Sequence, residues 1–393
     1  MILQRWQHVL EQRRDAVALH SAERTLTFAA LDAAARVFDG KVARGSVEEV
    51  MTGILAAILR QDYVQVVEKD REQRLPTRPP PAGVFLVKQT VGGSGLRRCQ
   101  FFTAAQILAD VDRLHAALKL DGCDAVVSAI SPAHSYGLTT TVLQTLLHGL
   151  PLHAVAAPFP HLLGEALEAH ESAFVPGIPA LWRAWLMAGV PMRRAGLCVS
   201  AGSPLSLELE RRFREAHGMK LHSLYGTSEA GAISYDAKDT PREDASDVGT
   251  LLPGVHAEVT ENGLLQVRSD AVGLGYDELL PGEVFGDGQF LTCDEAEVAG
   301  ERLRWLGCRG EGINVAGRKL APGEIAAKLR QVLGVDGVRV SGQASNDAER
   351  CQQVVAEVDL TPAELTPELR QRACASLAPW ELPRRWVATR EAK

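Results

Sequence analysis

The run Tyr225-Gly226-Thr227-Ser228-Glu229 places an aromatic ring, a glycine, two hydroxyls and a carboxylate between two largely apolar stretches. A polar cluster in that setting belongs at the end of a strand, where loops carry function. Glu229 beside Thr227 and Ser228 suits a magnesium ion and phosphate oxygens, because Mg²⁺ takes hard oxygen ligands and few of them from protein. A polar loop between strand and helix would have the same composition. Upstream, VGGSGLRRC (91–99) has three glycines and Ser94 in a turn whose amide hydrogens can face an anion, with Arg97 and Arg98 adding positive charge. These are the ingredients of a polyphosphate cradle. No GK[ST] follows and the spacing is not GxGxxG, so the stretch taken alone reads first as a glycine turn with two solvated arginines. His134, in SPAHSYG, either lines a pocket or satisfies a loop. Ser203 and Ser206, in VSAGSPLSLE, read equally well as helix caps. Asp294, in FLTCDEAEV, is expected at a strand end, where a carboxylate accepts both hydroxyls of a ribose or serves a turn.

These residues need elements to position them. Residues 1–75 show helical periodicity, with helices expected over 25–38, where Thr27 is a candidate N-cap, and over 47–61. The basic, proline-rich stretch 71–83 reads as a linker or surface loop. A buried strand, VFLVKQT, then runs into the glycine turn. Beyond it, apolar strand-like and amphipathic helical segments alternate as far as KLHSLYG, which predicts an α/β fold with a largely parallel, doubly covered sheet. From about residue 246 the texture changes to short β segments, with ENG (261–263) as a hairpin turn. The glycine-dense GCRGEGINVAGRK reads as a hinge. After it, helix, strand, strand and helix predict a small α+β domain. The expected division is a large domain over 1–307 and a small mobile one over 308–393.

At 393 residues the chain exceeds one ordinary core. The net charge of −7 gives no electrostatic reason to expect nucleic acid or an anionic membrane as partner. No apolar run is long enough for a membrane-crossing helix, and the start lacks the unbroken apolar core of a signal peptide. Seven cysteines, odd in number and without a CxxC pair, argue against a disulfide framework and for a reducing, cytoplasmic setting.

In order and spacing, the glycine loop, His134, SAGSP, YGTSE, TCD and GCRGEGINVAGRKLAPGEI together resemble the adenylate-forming superfamily of acyl- and aryl-CoA synthetases, peptide-synthetase adenylation domains and luciferases. The resemblance runs from about residue 85 to 386, and YGTSEAG and INVAGRKLAPGEI are its most specific parts. It implies a large N-terminal domain of mostly parallel sheets flanked by helices, a β subdomain and a small C-terminal domain that rotates near GCRGEG. It implies a phosphate loop in Thr90, Gly92, Gly93, Ser94 and Gly95, with Arg98 where the family has lysine. His134 would line the acyl pocket. Ala201, Gly202 and Ser203 would pack on adenine, with Tyr225 stacking and Gly226 and Thr227 beside it. Ser228 would bond the α-phosphate, Glu229 would hold Mg²⁺ and Asp294 would hold the ribose. Arg309 stands one place beyond the family's arginine, where this chain has Cys308.

The implied reaction has two halves. A small carboxylic acid attacks the α-phosphorus of ATP and expels pyrophosphate. The thiol of CoA, or of a carrier protein's pantetheine, then takes the acyl group. Val91 and Gly93 replace hydroxyls of the family loop, the region before the loop is shorter than the family's, and Lys393 lacks the glycine turn around the family's C-terminal lysine. These departures keep a second reading open, an adenylate- or acyl-binding partner of another synthetase or carrier protein. A nicotinamide-linked dehydrogenase fails for want of GxGxxG followed by an acidic residue.

Overall fold

The computed structural model describes residues 1–69, 73–91, 94–315, 318–345 and 352–390. The chain divides into two compact units, one of residues 1–89 with 98–307, the other of 90–97 with 308–393.

In the first unit the Thr27 hydroxyl caps the helix Phe28–Val37 by accepting from the Ala30 amide. The helix Val47–Arg60 is capped by Ser46, and every residue from Val50 to Ile58 is buried, which makes it a core helix. Four strands, Val17–His20, Thr25–Thr27, Val42–Arg44 and Val64–Val67, lie among these helices where the sequence reads as helical. Runs of three or four apolar residues carry too little periodicity to separate strand from helix.

The larger sheet changes character at the strand Leu221–Thr227. On one side stand parallel strands in the order Ala195–Ser200, Ala173–Gly177, Ala125–Ser128, Leu152–Ala154 and Val17–His20. Ala173–Gly177 and Ala125–Ser128, inside this half, are buried along their whole length, as parallel strands covered by helices must be. On the other side Leu221–Thr227 pairs antiparallel with Gly231–Tyr235, and the antiparallel half continues through Asp247–Leu251 and Arg302–Cys308. It includes the hairpin His256–Val259/Leu264–Arg268, turned where the sequence has ENG. A second sheet is ordered Gly275–Tyr276, Arg97–Thr103, Val84–Val91, Val64–Val67, Val42–Arg44.

Two local expectations change, and the loop expected over the proline-rich stretch, seen in its described residues 73–83, proves to be anchored. The segment GLTTTVLQTLLHG forms two helices, Ser135–Thr140 and Val142–His148, broken at Thr141. The hydroxyls of Thr140, Thr141 and Thr145 each donate to the carbonyl four residues back, a pattern that bends helices. Asp294 does not end a strand. It lies in the middle of the eleven-residue strand Gln289–Ala299, whose buried and less buried residues alternate up to Ala296. The proline-rich stretch is tied down rather than loose: Thr77 donates its amide and its hydroxyl to Asp277, and Arg78 donates to the Tyr276 carbonyl.

A closed ionic network lies at the start of Leu221–Thr227. Lys220 donates to Asp236 and faces Glu210, and Glu210 also accepts from the Arg242 amide and guanidinium. These four side chains are at most 2% exposed.

The second unit has its own core around Ile313, Leu320, Ile325, Leu329, Val340 and Ala356. It contains the helices Pro322–Leu333 and Pro367–Cys374 and a sheet of Val338–Ala344, Gln352–Val358 and Arg385–Ala388. The short hairpin Ile313–Val315/Arg318–Leu320 completes it. Among the described residues, no helix is long and apolar enough to cross a membrane.

Candidate active site

The candidate site of the first unit begins with strand register. Ser200 lies opposite Gly177 on one neighbour and Ser223 on the other, so two of the parallel strands end level with Ser223 while Leu221–Thr227 runs on past them. Ala201–Ser203 therefore leaves the sheet beside the last residues of Leu221–Thr227, at the carboxyl ends of strands where ligands bind such folds. Gly202 turns the chain there with φ +84°, a value that favours glycine. Ser206, not Ser203, caps the following helix Leu207–His217 by accepting from the Leu209 amide at 3.3 Å. The hydroxyls of Ser200 and Ser203 are both buried and have no hydrogen-bond partner among the described residues.

Next to this edge the chain reverses through Ser228, Glu229 and Ala230 into the strand Gly231–Tyr235. The Thr227 hydroxyl accepts from the Ala230 amide at 3.1 Å. A Cβ at Gly226 would come within 2.4 Å of the Gly231 carbonyl oxygen, so the two strands approach closely only because Gly226 has no side chain. From the helix Ala104–Leu118, Asp110 accepts from the Ala232 amide at 2.9 Å and from the Thr139 hydroxyl at 3.2 Å. Burial raises the Asp110 carboxyl above its ordinary pKa.

Glu229 sits at the tip of this turn and is nevertheless only 6% exposed. Its Oε1 accepts from the Tyr276 phenol at 2.7 Å and from the Gln100 amide at 3.4 Å. Its own carbonyl accepts from the Gly273 amide. Burial, and then the Glu229 carboxylate, push the Tyr276 phenol well above its usual pKa, so it remains an O–H donor. One carboxylate oxygen is thus oriented by two donors, while Oε2 has no hydrogen-bond donor among the described residues. A carboxylate fixed in this way fits Mg²⁺, which is held by few protein oxygens and whose ligands are steered by outer partners.

Tyr225 and Asp294 meet directly, the phenol donating to Asp294 Oδ2 at 2.6 Å. The Asp294 backbone amide donates to the Thr292 hydroxyl. The sequence singles out both residues but carries no sign that they bond each other.

Other candidates are placed differently. His134 is half-buried at the N-cap of Ser135–Thr140 and makes no side-chain capping bond. Two residues on, the Tyr136 phenol donates to the Val199 carbonyl. Arg98 is not a loop residue. It lies in the strand Arg97–Thr103, is 2% exposed, pairs with Glu283 and stacks 3.7 Å from the Tyr276 ring centroid. Thr90, Ser94, Gly95 and Arg309 belong to the second unit. There Thr90 is buried, Gly95 has φ +68° beside Pro322 and Glu311, and Arg97 pairs with Glu324. Arg309 is exposed just past Cys308. Gly92, Gly93 and Lys393 lie outside the described residues.

Sequence reading misses Gln100, Asp110 and Tyr276, which sit in otherwise apolar or amphipathic segments. It also passes over Lys88, the lone charge inside VFLVKQT, which was the one available signal. Lys88 is buried, and its Nζ donates to the Ser228 carbonyl at 2.8 Å.

The sequence profile of AMP-binding enzymes matches residues 42–276. The chain belongs to this family. It is 23% identical to a long-chain-fatty-acid–CoA ligase of Bacillus subtilis over 82% of this chain and 61% of the ligase. It is 26% identical to a naringenin synthase of Pestalotiopsis fici over 64% of this chain and 10% of that protein. The chain thus spans less than two thirds of the length of these relatives. Among solved structures, a malonyl-CoA ligase with methylmalonyl-CoA and AMP bound superposes with a TM-score of 0.78 at 21% identity, over 96% of this chain and 95% of that one. An o-succinylbenzoate CoA synthetase of Bacillus subtilis gives 0.81 at 16% identity, over 99% and 95%. At such identities these likenesses establish that the AMP-binding chain has the fold of those ligases. YGTSE and the turn SAGS fall within the matched residues, and Asp294 lies beyond them.

Proposed function

We propose that this chain activates a carboxylic acid with ATP as an acyl-adenylate and passes the acyl group to a thiol, that of CoA or of a carrier protein's pantetheine. The observation that carries the reading is the grouping of Ser203, Tyr225, Ser228 and Glu229 at and just past the carboxyl ends of adjoining strands, with Asp294 bonded to Tyr225 from the middle of its own strand, within a chain of the AMP-binding family. Tyr225 offers a ring face to adenine while its phenol steadies Asp294 for the ribose hydroxyls. Ser228 offers a hydroxyl to the α-phosphate. The buried hydroxyls of Ser200 and Ser203 stand ready for polar groups of the nucleotide. Glu229 would hold Mg²⁺ through the oxygen that Tyr276 and Gln100 leave open. When bound, the ion neutralises charge on the phosphates as the carboxylate attacks. The protein's part is to fix these groups beforehand, so that little reorganisation is needed in the transition state. In the second half, residues 308–393 would move as a body about GCRGEG.

The test is a thermal-shift titration with Mg·ATP and with acyl-sulfamoyl-adenosines of varied acyl group, followed by pyrophosphate release with the acids they point to. Binding to the folded state raises stability by mass action, so a slow enzyme still reports its ligand. A shift with one acyl class and acid-dependent pyrophosphate release are expected. No shift with any nucleotide would overturn the reading.

A further inference from the structure

The resemblance places the phosphate-side charge on Arg98, and the structure commits that guanidinium to Glu283 and the Tyr276 ring. Another cation stands behind the YGTSE turn. Lys88 projects from the strand Val84–Val91 and is 7% exposed. Its Nζ lies 3.9 Å from the Phe102 ring centroid and donates to the Ser228 carbonyl oxygen. The charged groups acting on it are Asp110, from the helix Ala104–Leu118, and Glu229, from the turn itself. Burial pushes the ammonium down to about 8, while Asp110 and Glu229 pull it up.

We propose that Lys88 is a positioning residue of the nucleotide site, clamping the Ser228–Glu229 turn by the Ser228 carbonyl so that hydroxyl and carboxylate stay aimed at the bound Mg·nucleotide. The inference rests on the proposed function for its ligand. Its physical basis is independent of it. A buried carbonyl in a chain reversal needs a donor, and a charged donor bonds about twice as strongly as a neutral one. Phe102 and the strand fix the ammonium so that few other positions are open to it. Asp110 grips the far side of the same turn through the Ala232 amide, so the reversal is held from both ends by two buried side chains.

The experiment compares the wild-type protein with Lys88→Met, which keeps the stem and loses the donor, and Lys88→Gln, which keeps a neutral donor. Hydrogen exchange of residues 227–232 without ligand reads the turn directly, and Mg·ATP affinity reads the site. In Lys88→Met, faster exchange confined to the turn and at least tenfold weaker Mg·ATP binding are expected, with Lys88→Gln intermediate. Should Lys88→Met fail to fold, Lys88→Gln carries the comparison. Unchanged turn exchange and unchanged affinity in the variants overturn the role of Lys88 while leaving the functional reading intact. Absence of Mg·ATP binding by the wild-type protein overturns the functional reading, and the inference with it.

Discussion

At one end of the strand Leu221–Thr227, Lys220 donates to Asp236 and to the Thr240 carbonyl and faces Glu210, which Arg242 grips through backbone and side chain. Arg242 also reaches the carbonyls of Leu205 and Asp247. At the other end, Tyr225, Ser228 and Glu229 meet Asp294, Lys88 and Tyr276, and two buried serine hydroxyls nearby lack partners. Both ends are polar, and each buries a charged side chain. The first is closed: two acids face two bases, and none of their atoms is among those left buried without a partner. The second is open: one carboxylate oxygen and two hydroxyls have capacity that the described protein groups do not use. A buried polar group without a partner costs free energy, so a fold keeps such groups where a ligand can supply the missing bond. The contrast therefore separates a device for holding the strand from a device for holding something else.

The sharpest way to break this comparison is to cut the closed end. Arg242→Met leaves Glu210 buried opposite Lys220 alone, and removal of one partner from a buried ionic group typically costs about 3–5 kcal/mol. Chemical denaturation should show a loss of that size, while the protein that remains folded binds Mg·ATP as before. A loss under about 1 kcal/mol would mean that the network is no more than a surface pair in effect.

The open end should respond in the opposite sense. Glu229→Gln keeps the shape of the side chain, so the midpoint of denaturation should move little. Mg·ATP affinity should fall by tenfold or more, equivalent to about 1.4 kcal/mol, and the dependence on Mg²⁺ should disappear. Undiminished affinity would remove Glu229 from the site and leave the turn as structure alone.

Much of this contrast is legible in the sequence on one side only. YGTSE and the TCD aspartate stand out because hydroxyls and carboxylates between apolar runs have few structural uses. The alternation of strands and helices before residue 221 follows from periodicity, because parallel strands are uniformly apolar. The partners are not legible. Tyr276 and Gln100 reach Glu229 from 47 and 129 residues away, and no local pattern encodes such pairings. Arg98 shows the same limit. Its position in the motif is right for a phosphate contact, but Glu283, 185 residues on, takes its charge. Lys88 was visible as an isolated charge in an apolar strand, a signal of burial with a purpose, though not of which purpose.

The smallest expected effect tests the idea of unused capacity most directly. The Ser203 hydroxyl is buried without a partner and does not cap the helix that follows, a task Ser206 performs. Ser203→Ala removes a polar atom that gains nothing in the unliganded fold, so stability should hold or rise by up to about 1 kcal/mol, in contrast to the usual cost of losing a bonded hydroxyl. If a nucleotide supplies the missing bond, the same change should weaken Mg·ATP binding several-fold, the worth of one ordinary hydrogen bond at about 0.5–1.5 kcal/mol. Denaturation and binding measured on the same preparation would separate the two quantities. A gain in stability with a loss of affinity marks a group held for a ligand. A loss of stability would show that the hydroxyl serves the fold, and the line between the two ends of the strand would then have to be drawn nearer to Glu229.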